Sequence, residues 1–193
     1  MIRHYFRRTF ILSLVLGMTI FLLPFGALAQ TVVAVDIKPG SCPNPLNIKS
    51  QGVLPVAILG AAEFDVATID PASIRLVYGE TEVAPIRSSI EDVGAPFIGD
   101  ILSCDDCYIS DPDGIMDLTL KFRTQDIVAA LSADIEGGTI IDGSCIVLEL
   151  TGFLTDETTP ISGADVVSIL IKGKTPVRNQ NGNLNRHRHF PTE

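Results

Sequence analysis

The chain contains no tryptophan, and none of its three histidines falls within residues 30–171. Ser-His-Asp and Cys-His catalysis both need an imidazole beside the nucleophile, so neither can be assembled from that stretch alone. A tetrahedral zinc site is disfavoured for the same reason, because it takes Cys or His ligands, and His187 and His189 stand in a polar C-terminal segment. Aromatic surface is scarce too: beyond residue 30 the only tyrosines are Tyr78 and Tyr108. That weakens both sugar binding and glycoside hydrolysis, which usually offer aromatic platforms. Basic residues are the third shortage. Residues 30–171 hold 6 Lys+Arg against 22 Asp+Glu, a net charge of −16. Such a domain repels nucleic acid and anionic lipid and suits cations or a salty medium. No internal repeat is evident.

Long apolar runs are confined to one place. Phe10 to Phe25 is apolar, Arg3, Arg7 and Arg8 precede it, and Ala27-Leu28-Ala29 supplies a small-x-small cleavage signal. Residues 1–29 therefore read as a signal peptide, with Gln30 as the mature start and no membrane span after cleavage. Phe10 to Ala29 is long enough for an anchor, but Pro24, Gly26 and the cleavage signal oppose one. The stretch "RRTFIL" resembles a twin-arginine export motif; the strongly hydrophobic run behind it favours general secretion. Residues 173–193 carry almost no apolar side chains and are expected to form a flexible basic tail.

Between these ends, short Val- and Ile-rich segments alternate with Gly, Pro, Asp and Ser, the pattern of an all-β domain over residues 30–172. Expected strands are Val32–Ile37, Val53–Leu59, Ser73–Val77, Thr81–Ala84, Arg87–Asp92, Ile115–Phe122, Ile146–Thr151 and Val166–Ile171. In "MDLTLKF", Met116, Leu118, Leu120 and Phe122 alternate with Asp117, Thr119 and Lys121, as in a strand with one wet face. "VLPVAILG" is more continuously apolar and suits a central strand, although Pro55 then requires a bulge or an edge. In "TQDIVAAL", Thr124 is placed as an N-cap ahead of apolar positions 127, 128 and 131, which predicts a short helix near 124–132. About eight short strands in this length make a two-sheet sandwich, Ig-like in general architecture.

Four cysteines follow the leader: Cys42, Cys104, Cys107 and Cys145. An even count in an exported chain predicts two disulfides, with three possible connectivities. The spacing favours a local Cys104–Cys107 bridge, leaving Cys42–Cys145 as a long-range staple worth about 4–5 kcal/mol in the chain-entropy model. Redox catalysis by the C-x-x-C fits poorly, since Asp105 and Asp106 lie between the thiols and oppose a thiolate.

The same stretch, "SCDDCYISDPDGIMDLTLKF", carries the best candidate for a metal. Asp111, Asp113 and Asp117 stand at relative positions 1, 3 and 7, Gly114 permits a sharp bend, and Asp105 and Asp106 add charge nearby. Closely spaced carboxylates with loop carbonyls suit calcium, although the bidentate Glu of a helix-loop-helix site is missing. "DPDG" is equally a type I turn, with Asp first, Pro second and Gly fourth. The turn is expected in either case; on sequence only the ion stays open.

Several motifs then fall in order: "DIKPGSCPNPLN", "GVLPVAILG", "DPASIRL", "EDV" and "PDGIMDLTLKF…TQDIVAAL". Together they resemble a recurrent β-rich domain of secreted bacterial proteins, over about Val35 to Lys172. The resemblance implies an exported module, often found beside other modules and without assigned catalytic residues; here it stands almost alone. The expected function is a non-catalytic secreted or surface-associated binding or structural module, stabilised by calcium if the acidic loop holds it. An extracellular protein or polymer is the expected kind of ligand. The alternative is a secreted hydrolase using a carboxylate pair. If the leader is cleaved as read, the intact mass of the exported protein corresponds to a chain starting at Gln30; a membrane-bound species retaining Met1 would make the segment an anchor.

Overall fold

A computed structural model describes residues 30–97, 103–107, 109–134 and 139–171. The leader 1–29 and the tail 173–193 lie outside the described residues. Ten strands, β1 (Thr31–Val32), β2 (Ala34–Ile37), β3 (Pro45–Asn47), β4 (Val53–Leu59), β5 (Arg75–Tyr78), β6 (Thr81–Val83), β7 (Arg87–Glu91), β8 (Asp117–Arg123), β9 (Cys145–Phe153) and β10 (Pro160–Leu170), form two sheets. One sheet runs β1-β10-β9-β5-β6, with β3 also paired to β10, and the other runs β2-β4-β8-β7. The result is the expected all-β, two-sheet sandwich, with one α-helix among the described residues, α1 (Thr124–Asp134).

The core follows from strand periodicity. On β8, Leu118, Leu120 and Phe122 all face inward and are essentially inaccessible. Across the ladder they meet Ile58, Val56 and Leu54 of β4. From the opposite sheet come Ile146, Leu148 and Leu150 of β9 with Ile161, Val167 and Ile169 of β10. α1 closes one side through Ile127, Ala130 and Leu131, and its first residue, Thr124, is buried with its N–H donated to Gly52 O.

Pro55 sits inside β4, and the ladder shows why it is tolerated. In an antiparallel pair, a residue's N and C=O point to the same neighbour. Pro55 O accepts from Lys38 N, and β2 ends one residue earlier, at Ile37. The missing N–H therefore faces a position where β2 has already turned away through Lys38, whose φ is 63°. This is a local edge within a central strand.

Several sequence expectations need correction. The expected strand Val32–Ile37 is two strands: β1 pairs β10 in one sheet and β2 pairs β4 in the other, so the chain crosses between layers at Val33. Gly163 permits that crossing, since a Cβ there would stand 2.4 Å from Val33 O. β10 begins six residues before the expected Val166, and β3 was not anticipated, because "PLN" carries no alternation to reveal it. The one-wet-face pattern for β8 also fails at its start. Met116 precedes the strand and is 54% exposed, whereas Asp117 is completely buried. Thr119, on the same face as Asp117, is buried as well, so β8 is covered on both sides at this end.

The disulfide pairing is corrected too. The bridges are Cys42–Cys107 and Cys104–Cys145, not Cys104–Cys107 and Cys42–Cys145. A turn between the two thiols, closed by Asp106 N donating to Ser103 O, sends them to different partners. Cys104 is buried with its Sγ beside Val167 O of β10, at the end of the ladder where Cys145 pairs with Ser168. Cys107 reaches the loop that follows β2. The C-x-x-C is thus a double clasp, joining the 93–116 connection to both sheets. The two bridges suit an oxidising, exported environment, and no helix among the described residues is long and apolar enough to cross a membrane. With separations of 65 and 41 residues, each bridge restricts the unfolded chain by about 4 kcal/mol in the chain-entropy model. Proteolysis without reduction should release peptides joined 42 to 107 and 104 to 145. A peptide carrying an internal 104–107 bridge would contradict the fold.

Candidate functional site

In the acidic loop, Asp92 and Asp113 accept from backbone amides. The DPDG turn is held by Asp92, whose two carboxylate oxygens accept from Asp113 N (3.2 Å) and Gly114 N (2.8 Å). Asp113 Oδ1 accepts from Ile115 N at 2.9 Å, an Asx turn that leads into β8. Asp111, Asp113 and Asp105 are exposed, and Asp106 is half-buried.

Asp117 has a different task. Its Oδ1 accepts from Gly60 N at 2.8 Å, and its Oδ2 accepts from Val93 N at 2.7 Å and Gly94 N at 3.2 Å. The buried carboxylate thereby ties the end of β4 to the segment leaving β7. An ionised carboxylate offers about four acceptor positions, so three amides leave Asp117 little capacity for a metal. Among the described residues, no three His, Cys, Asp or Glu side chains come together as a metal-binding group. The structure thus separates Asp117 by role from Asp111 and Asp113, and it adds Asp92 as the residue that shapes the turn. "EDV" carries no local sign of this role, because the amides that Asp92 accepts from are those of Asp113 and Gly114.

Sequence reasoning overlooked a second set of acids, at the seam between β2 and β10. Asp165, on β10, is buried; its Oδ2 accepts from Ile37 N (2.6 Å) and Asn44 Nδ2 (3.0 Å), and its Oδ1 from Val166 N (2.7 Å). Asp36, on β2 beside that amide, is 5% exposed. Burial, then the Asp165 carboxylate, then the Asp117 carboxylate push its pKa from 3.8 to about 7, and no hydrogen bond offsets them. Burial also raises Asp165, partly countered by the amides of Ile37 and Val166. Asn44 is buried as well; its Nδ2 also donates to Val166 O (3.1 Å), while its Oδ1 has no partner. The only signal in sequence was an acid interrupting two otherwise apolar strands, "VAVDI" and "ADVVSIL".

Among the described residues, the outer face of the larger sheet leaves several side chains exposed. Val32, Ser162, Thr151 and Arg75 are cross-strand neighbours on this face, as are Ala164, Glu149 and Val77. A shallow groove of about 410 Å³ runs over it, lined by Gln30, Val32, Glu149, Thr151, Ser162, Gly163 and Ala164. Val147 and Phe153 extend the apolar exposure along β9.

No protein-family model matches this chain, and no curated protein matches it either.

The buried acids give a pH dependence with a definite sign. Asp36 titrates near 7 when folded and near 3.8 when unfolded, so between those values the folded state holds more protons and stability falls as pH rises. The groups acting on Asp36 are Asp165 from β10 and Asp117 from β8. Asp156, held down to about 2 by Thr159 and Thr158 donors, acts in the opposite sense only below the ordinary carboxylate range. In metal-free buffer, the unfolding midpoint of the wild type should fall relative to Asp36→Asn by on the order of 5 °C between pH 4 and pH 7. Parallel curves would show that Asp36 is not buried as a charge.

Proposed function

We propose that the domain is a non-catalytic, exported binding module that engages its ligand on the outer face of the six-stranded sheet. The observation that carries this reading is the open face itself. It is a rigid, twisted surface on which Val32, Val147 and Phe153 remain exposed around Glu149, Thr151 and Ser162. Exposed apolar side chains flanked by polar ones are the usual mark of a contact surface. Small side chains at 162–164 keep the groove shallow, which suits an extended stretch of protein or polymer better than a small enclosed molecule.

The hydrolase alternative needs two carboxylates that a substrate can reach. The pair with the most perturbed environment, Asp36 and Asp165, is 5% and 3% exposed, so no substrate-sized molecule reaches it without the seam opening. That supports the binding reading. Calcium bound by Asp111 and Asp113 would stabilise the entry to β8, but it would have to take Asp117 away from amides that already hold it.

The experiment compares wild type with Thr151→Arg and Phe153→Ala for components retained from the culture medium, with circular dichroism confirming the fold. Truncating a central contact typically costs 2 kcal/mol or more, so retention should weaken by about 30-fold for a ligand on this face. Equal retention by all three proteins would move the contact surface elsewhere. Turnover in a hydrolase screen, abolished by one carboxylate substitution, would favour the enzyme.

A further inference from the structure

We propose that two copies of this domain associate through β7, pairing antiparallel about a two-fold axis at Ser89, so that their two four-stranded sheets join into one continuous sheet. β7 stands at the end of its sheet, with only β8 beside it. The ladders fix which of its backbone groups are free. Pro55 O accepts from Lys38 N, so Pro55 faces β2, and the residues on either side of it in β4 face β8. Carried through the registers, Leu118 and Leu120 face β4, whereas Asp117, Thr119 and Lys121 face β7. Arg87, Ser89 and Glu91 then face β8. Ile86 N donating to Lys121 O agrees with that assignment. The N–H and C=O groups of Ser88 and Ile90 therefore point past the edge, and among the described residues no backbone group pairs with them.

An exposed edge is a template for another strand, and folded proteins usually blunt it. The other edges here are blunted. β1 has two residues, and β3 and β6 have three each; α1 packs beside β6. β2 is mostly buried, and its outward amide at Ile37 is taken by Asp165 Oδ2. β7 has none of these safeguards: it is five residues long, four of them are exposed, and it contains no proline. The segment that leaves it is drawn the other way, over β8, by the bonds from Val93 N and Gly94 N to Asp117.

The occupant is a second copy because the edge is complementary to itself. With Ser89 opposite Ser89 of the second copy, Ser88 meets the other Ile90 as a hydrogen-bonded pair, and the axis repeats that pair. The same register sets Arg87 opposite Glu91 on both sides of the axis, at non-hydrogen-bonded positions where side chains come closest. Both are exposed, and Glu91 Oε1 accepts from Ser89 Oγ, which holds the carboxylate on the outer face. Moving the axis to Ser88 or Ile90 would set Arg87 against Ser89 or Val93 and lose both ion pairs. On the inner face Ile90 is 49% exposed, although Leu118 and Leu120 beside it are inaccessible. In the pair it lies diagonal to the other Ile90, within reach of it. The charge of −16 on residues 30–171 opposes association, but at physiological salt that repulsion decays over about 8 Å. The ligand face proposed above lies on the other sheet, so a dimer presents two of them and holds a repeating polymer with avidity.

The test is sedimentation velocity of the mature protein without ligand, at physiological salt. A single strand pair is a small interface, so a dissociation constant on the order of 100 μM is expected, with dimer dominating at about 1 mM protein. Ser88→Pro removes an outward N–H and leaves every ladder bond to β8 in place. It should stay monomeric with an unfolding midpoint near that of the wild type. Arg87→Glu and Glu91→Arg should each be monomeric alone, since like charges then face each other across the axis. Their equimolar mixture should dimerise, because each supplies the charge the other lacks. A wild type that is monomeric at about 1 mM overturns the proposal and leaves the edge to a strand of another protein. A dimer that Ser88→Pro does not disturb overturns it equally, since the contact then lies elsewhere. If the mixture fails to associate while the wild type dimerises, the register is wrong and the self-complementary edge with it. Should Ser88→Pro fail to fold, the charge-swapped mixture still decides. None of these measurements reads the ligand face, so failure of the dimer and failure of the binding reading are told apart.

Discussion

Burying a carboxylate with no cation beside it requires other donors to converge on it, and the most deeply placed acid of this sandwich, Asp117, depends on that. Three backbone amides, from Gly60, Val93 and Gly94, meet its two oxygens. Charge-assisted hydrogen bonds of this kind are roughly twice as strong as neutral ones. Leaving the three amides unanswered in the interior would cost about 1–3 kcal/mol apiece. The geometry follows from that requirement. β4 must end where Gly60 can turn its N–H inward, and a Cβ at Gly60 would stand 2.3 Å from Met116 O. The chain leaving β7 must fold back over β8, which is why Asp117 and Thr119 are covered although they face away from the core.

The disulfides continue the same connection. Having been drawn over β8 by Asp117, the segment runs on to Cys104 and Cys107, whose bridges reach β9 and the loop after β2. Val93 and Gly94 are held by an anion that gathers their amides, whereas Cys104 and Cys107 are held covalently.

What was legible in the sequence was what depends on local period. The alternation of Leu118, Leu120 and Phe122, the apolar run of β4 and the helix after Thr124 are properties of adjacent residues, and the structure contains each. What was not legible depends on residues far apart in the chain. The cysteine pairing could not be read from spacing, because C-x-x-C looks local until the turn at Asp105 and Asp106 sends the two thiols opposite ways. Asp117 looked like a wet-face residue, because its amide donors lie 57 and 24 residues away. The DPDG turn at Asp113 was legible, but not the residue that holds it. Asp92, 21 residues earlier in the chain, shapes that turn.

The two layers also divide their acids by different rules. On the outer surface, acidic side chains such as Asp156 are tamed locally, by hydroxyl and amide donors two and three residues ahead. In the interior, most amides are spent on the ladders, so an acid is met mainly by amides at a strand end or a sheet edge, although Asp165 also accepts from Val166 N beside it. Asp117 finds such amides at the end of β4, and Asp165 finds one at the free edge of β2, in Ile37 N. Asp36, on the edge strand β2, has no hydrogen bond to offset its burial. A buried acid without donors lowers its free energy by taking up a proton or by binding a cation.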